Sequence, residues 1–186
     1  MKQFFRLADL AQTLVASISF VVLMEFSIQV VLPLQEAWIV VLENHAMLLF
    51  LPHGVRVLTA WLYGWRSIIY LLPGHLMAHT MLWSTAGLTD WSVLVAIGGS
   101  CIGFLGFVVA SHLLVFFKSV PISQKWIEVL LAGSIASIAN STMNALVYSV
   151  SWINSLAYIV GDTVGLMVLM VLLVYLFKIE RTVTRR

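Results

Sequence analysis

Six apolar runs, each bounded by charge, proline or glycine, limit what this chain can fold into. They are Leu7 to Leu32, Leu51 to Tyr63, Ser67 to Gly87, Trp91 to Phe117, Trp126 to Val150 and Ile153 to Phe177. A hydrocarbon core about 30 Å thick takes about 20 apolar residues of helix at about 1.5 Å each. Composition agrees, since 61% of the 186 residues are hydrophobic and 10% charged, with a mean hydropathy of +1.02. Soluble domains carry about 45 to 50% apolar and about 25% charged residues. The sequence therefore predicts an all-α, polytopic membrane bundle of about six transmembrane segments, one integral membrane domain over residues 1–186, with the lipid bilayer as its surroundings. The second run is too short to cross as a straight helix. It is expected to be short or broken, to tilt, or to borrow length from Leu34 to Phe50.

Charge placement orients the bundle, because Lys and Arg beside short loops favour the cytoplasmic side. With the N-terminus inside, Lys2, Arg6, Arg66, Lys118, Lys125, Lys178, Arg181, Arg185 and Arg186 all fall inside. The outer loops, Pro33 to Leu51, Leu88 to Asp90 and Ser151 to Asn154, hold no Lys or Arg and carry Glu36, Glu43 and Asp90. Arg56 alone breaks the rule. Both termini are thus expected in the cytoplasm and the protein in the cell inner (plasma) membrane, multi-pass. Met1 to Arg6 reads as the flank of an uncleaved first span, because the run after it is long and contains Glu25. The C-terminal arginines read as inner headgroup anchors, and the formal charge of +2 gives no reason to expect nucleic acid. Lys178 to Arg186 is too short for a soluble module, so any output is expected in a separate membrane or cytoplasmic partner protein.

Polar residues within the runs are the informative ones, since an ionisable group at the bilayer centre costs at least roughly 2.5 to 3.5 kcal/mol on insertion scales. Counting at about 1.5 Å per residue, Glu25 lies roughly 10 Å below the outer end of its helix. His53 and Arg56 follow the outer start of the second run, His75 and His79 precede the outer end of the third, Asn144 that of the fifth, and Asp162 follows the start of the sixth. Five helices thus place polar groups at similar depth, which predicts an outward polar pocket walled by Trp and Tyr. Asn140, Asn144 and Tyr148 recur every four residues, as do Asn154, Tyr158 and Asp162, so each set shares a helix face. The candidate ligand-binding residues are Arg56, Asp162, His79, His75, Glu25, His53, Asn144 and Tyr158. Arg56 can pair with Asp162 or with Glu25. Interhelical glue is the competing reading for the asparagines, and a self-neutralising ion pair for the charges.

Other chemistries find less support. His75 and His79 have the i, i+4 spacing of a two-imidazole metal face, which His53 or Asp162 can complete. Spacing alone does not make a site, and neither a metal nor another cofactor is expected. GxSxG and GxxxxGK[ST] are absent, so no catalytic residue is assigned and an enzyme is not expected. Cys101 reads as a packed thiol in an apolar helix. Gly99 and Gly103 have small-xxx-small spacing, read as close helix packing rather than dimerisation. Pro52 and Gly54 mark the break where the chain turns back into the membrane.

"LPHGVRVLTAWLYGWRSIIYLLPGH" resembles the P-x-x-G, short helix, G-x-R, P-G series of the bacterial membrane-associated sensor domain, first type, found in front of histidine kinases and diguanylate cyclases. The matching positions are Pro52, Gly54, Gly64, Arg66 and Gly74. "GDTVGLMVLMVLLV" resembles the G-D-x-x-G element that closes that domain, through Gly161, Asp162 and Gly165. The resemblance implies a free-standing, shortened, non-enzymatic sensor of an unidentified small ligand that signals through a partner. Size and architecture are also similar to the S components of energy-coupling-factor vitamin transporters. That likeness implies a substrate-binding membrane subunit, with Ala8, Ala11 and Ala16 as a face for a coupling subunit. A structural or assembly subunit is the third expectation.

Overall fold

A computed structural model describes residues 7–39, 42, 46–83, 90–117 and 125–184. Lys2, Arg6, Glu43, Lys118, Arg185 and Arg186 lie outside the described residues, as does the end of the third run from 84 to Gly87. The described residues are mostly helical and contain no strand. α1 (Leu7–Phe26) runs through a π-helical turn (Ser27–Val31) into α2 (Leu32–Glu36). The chain continues as α3 (Leu51–Tyr63), α4 (Arg66–Trp83), α5 (Asp90–Phe117), α6 (Lys125–Tyr148) and α7 (Trp152–Thr184). Among the described residues, four helices are long and apolar enough to cross a membrane, Leu7–Glu36, Val93–Val115, Trp126–Tyr148 and Trp152–Thr182. α3 has 13 residues, and α4 has 18 with Pro73, His75 and His79 inside it.

The short helix is the axis of the bundle. α3 packs on α1, α4, α5, α6 and α7, which follow one another around it as α1 to α4, α4 to α5, α5 to α6 and α6 to α7. A helix enclosed by five others has no lipid boundary to match, which is why 13 residues suffice and why Pro52, His53, Gly54, Arg56 and Thr59 are all buried. Its limits are chemical: Pro52 sits in the first turn, where its missing N–H costs nothing, and Gly64 closes the helix at φ +58°. No helical length is borrowed from the described residues just before it, because 46–50 are non-helical.

That non-helical stretch is held by the G-D-x-x-G element. The N–H of Phe50 donates to the carbonyl of Gly161 at 2.9 Å. A Cβ on Gly161 would overlap the carbonyl oxygen of Met47, and one on Gly165 that of Phe50. The two glycines therefore form a backbone groove in α7 that the incoming chain crosses. Gln35 fixes the other edge, donating from Nε2 to the Ala46 carbonyl (2.8 Å) and accepting from the Leu48 N–H at Oε1 (2.7 Å). Irregular backbone at this depth is tolerable because protein groups satisfy it.

The same economy repairs α4 at its proline. Ser17 Oγ of α1 donates to the Tyr70 carbonyl at 2.8 Å and accepts from the Gly74 N–H at 3.0 Å. One hydroxyl thus bridges a helical turn opened beside Pro73. Gly99 and Gly103 also act in packing, Gly99 against the ring of His75 and Gly103 against the backbone carbonyl of Arg56. The proposed alanine face of α1 is not one face: Ala16 is buried with Phe20, Tyr70 and Leu71, while Ala8 and Ala11 are exposed. At 100° per residue, position 16 lies well round the helix from 8 and 11.

Candidate functional site

The helices form a half-open cavity of about 320 Å³ in the half of the bundle where α4 and α6 end and α5 and α7 begin. Six of the eight residues singled out from sequence line it: Arg56, Asp162, His75, His79, Asn144 and Tyr158. They arrive from α3, α4, α6 and α7, so the shared depth inferred from residue counting corresponds to one space. α1 adds Phe20 and Met24, the π-helical turn adds Ile28, α5 adds Val95, Ala96 and Gly99, and the crossing segment adds Met47 and Phe50.

The polar wall is a relay of side chains. Arg56 Nη1 donates to Asn140 Oδ1 at 3.1 Å, and Asn140 Nδ2 donates to Asp162 Oδ2 at 3.0 Å. Arg56 Nη2 and Asp162 Oδ1 are 3.9 Å apart, an ion pair at its outer limit and too long for a hydrogen bond. The guanidinium also lies 5.7 Å from the centre of the Phe50 ring, a cation–π distance. Asn140 therefore couples the charges, although sequence alone weighed it evenly between glue and pocket lining. Its signal was the shared face with Asn144 and Tyr148.

His53 stands behind this wall rather than in it. It is fully buried, with Nε2 3.0 Å from the Gly133 carbonyl. A carbonyl only accepts, so Nε2 carries the proton. Nδ1 lies 3.3 Å from Asp162 Oδ2 without making a hydrogen bond. His53 thus sits beside the carboxylate, outside the cavity lining, without bonding to it. His75 has its ring stacked on Phe20 at 4.0 Å and 24°, and its Nδ1 donates to the Leu71 carbonyl at 3.1 Å. Among the described residues no three His, Cys, Asp or Glu side chains gather as a metal would require.

Two expectations need correction. Glu25 does not line the cavity: its neighbour Met24 does, and one residue along a helix is a rotation of about 100°. Arg56 therefore pairs with Asp162 and not Glu25. Nor is the wall built of Trp and Tyr together. Tyr148 and Tyr158 line it, but no described tryptophan does. Trp38 and Trp152 are exposed near one end of the bundle, and Trp61, Trp65 and Trp126 near the other. Their amphipathic rings suit the two headgroup regions, and phenylalanine and methionine take the wall instead.

Four buried polar atoms in this region have no hydrogen-bond partner: His53 Nδ1, Arg56 Nε, Asp162 Oδ1 and His75 Nε2. Each buried group left so costs roughly 1 to 3 kcal/mol, more when charged. An arrangement serving only to hold helices together would more cheaply be apolar. No family model, curated protein or solved structure matches the chain, so the site is read from its own geometry.

A second polar cluster, at the opposite end, was not singled out from sequence. The Tyr70 hydroxyl of α4 donates to Asp9 of α1, and Arg66 Nη1 lies 3.7 Å from the same carboxylate. The Arg66 side chain is 55% exposed, so this pair contributes little to stability and serves to align the ends of α1 and α4.

Proposed function

We propose that this protein is a non-enzymatic, multi-pass module of the cell inner membrane that holds a small ligand in the cavity between α1 and α3 to α7 and signals through a partner protein. The single observation that carries this reading is the Arg56–Asn140–Asp162 relay, a charged group set built into the wall of a cavity with buried bonding capacity unused. Intramembrane charges of this kind mark binding sites by default.

The membrane arrangement belongs to the same proposal. α1, α4, α5, α6 and α7 cross the bilayer, α3 inserts as the enclosed sixth segment, and both termini lie in the cytoplasm. The basic residues support it, because Arg66 and Lys125 open α4 and α6 at the end where α7 carries Lys178 and Arg181. The cavity then opens toward the outer face. The glycine series through Gly64 and Gly74 and the Gly161, Asp162, Gly165 element fit a sensor domain of the first membrane-associated type.

Signal transfer has a physical route. Phe50 and Met47 touch the cavity and also lie in the groove formed by Gly161 and Gly165. α7 then continues to Thr184, exposed on nearly all sides beyond Met170. Photocrosslinking from positions 178 and 179 in the native membrane tests this, using wild type and the cavity-filling variant Met143→Trp. A partner whose yield differs between the two is expected. Equal yields, or a partner that is a transport ATPase, would contradict sensing.

A further inference from the structure

The geometry points to an uncharged amphiphile as the ligand: an apolar body of about a dozen non-hydrogen atoms carrying one amide-like group that both donates and accepts. This rests on the cavity being a ligand site and adds what that site selects. Size comes first. A cavity of about 150 Å³ holds benzene, so about 320 Å³ holds roughly twice as many atoms.

Charge comes second. One guanidinium faces one carboxylate, so the relay is already neutral. His53 and His75 each present one ring nitrogen to a carbonyl that can only accept and have none bonded at the other, the pattern of neutral imidazole. A carboxylate or ammonium ligand would add a third charge to a set that is already balanced, at a desolvation cost that an uncharged ligand avoids.

Polarity comes third. Arg56 keeps unused N–H capacity at Nε and Asp162 an unused acceptor at Oδ1, both atoms covered by neighbouring groups, and the two side chains approach only to 3.9 Å, so a ligand engages them by displacing that cover. A lone hydroxyl, ketone or ether matches this pair less fully than a group whose acceptor and donor lie side by side. An amide, lactam or urea edge offers its oxygen to Arg56 and its N–H to Asp162 together. Elsewhere the lining includes Phe20, Met24, Ile28, Met47 and Met143, which are apolar or polarisable and take the body of the molecule.

The test measures melting temperature of the purified full chain with para-butylbenzamide, para-butylbenzoate, para-butylbenzylammonium and butylbenzene. The benzamide is expected to raise it by about 5 to 10 °C at saturation, with the other three giving less than a third of that shift. The shift must vanish in Met143→Trp and in Val95→Phe, two cavity-filling changes on different helices, so that loss of one fold does not decide the outcome. A larger shift with the benzoate or the ammonium overturns the uncharged class while leaving a ligand site. If none of the four shifts the melting temperature, the class is also wrong. The binding reading then survives only if native mass spectrometry of the same preparation shows another bound small molecule.

Discussion

Arg56 and Asp162 hold their charges 3.9 Å apart, Nη2 to Oδ1, with Asn140 carrying the hydrogen bonds between them. Removing one partner leaves the other buried without compensation. Arg56→Met or Asp162→Leu alone should cost about 3 to 5 kcal/mol of unfolding free energy. The double variant should recover most of that loss, because two apolar side chains need no partner. Chemical unfolding of the four proteins in one detergent measures the cycle, and additive losses would deny the coupling.

Asn140 gives a sharper version. Asn140→Asp keeps the shape but turns its donor toward Asp162 into a second carboxylate at 3.0 Å. It should destabilise more than Asn140→Ala, since like charges at that distance repel in a poorly solvated site. Equal melting temperatures for the two would show that the contact carries no electrostatic weight.

The groove on α7 predicts a size threshold. Gly161→Ala and Gly165→Ala place a methyl into backbone atoms of Met47 and Phe50, which cannot swing away as a side chain can. Each should cost about 1 to 3 kcal/mol and expose the Phe50 amide to hydrogen exchange. Gly64→Ala meets nothing within 4 Å and bears only the strain of φ +58°, about 1 kcal/mol. A larger loss at Gly64 than at Gly161 would contradict the crossing.

Ser17→Ala removes the hydroxyl that bridges Tyr70 and Gly74. The expected loss is about 1 to 3 kcal/mol. Pro73→Ala lets α4 reclose its own ladder, so the double variant Ser17→Ala, Pro73→Ala should lose less than the single Ser17 change. A loss at least as large in the double variant would mean that the serine does not compensate for the proline.

These contacts divide into what the chain declares locally and what only folding assembles. α3 was legible to the residue, because Pro52 and Gly64 punctuate both ends of an apolar run. That Arg56, His79 and Asp162 share one end of the bundle was also legible, since rise per residue is fixed once both ends of a run are known, and all three line the cavity. Direction around the helix was not. α1 is apolar on nearly every side, so nothing in its pattern separated Glu25 from Met24, one of which lines the cavity. The position of α3 at the centre was hidden for a similar reason: a short run reads as a truncated span until five neighbours enclose it. Gln35 and Ser17 gave no signal either, since their partners are backbone groups 11 to 57 residues away.

Native mass spectrometry of the protein released from its own membrane separates a ligand site from a purely structural charge pair. A wild-type population carrying one small molecule of about a dozen non-hydrogen atoms is expected, lost from Met143→Trp and from the Arg56→Met, Asp162→Leu double variant. A wild-type spectrum with no retained molecule, or one retained equally by all three proteins, would contradict a ligand site.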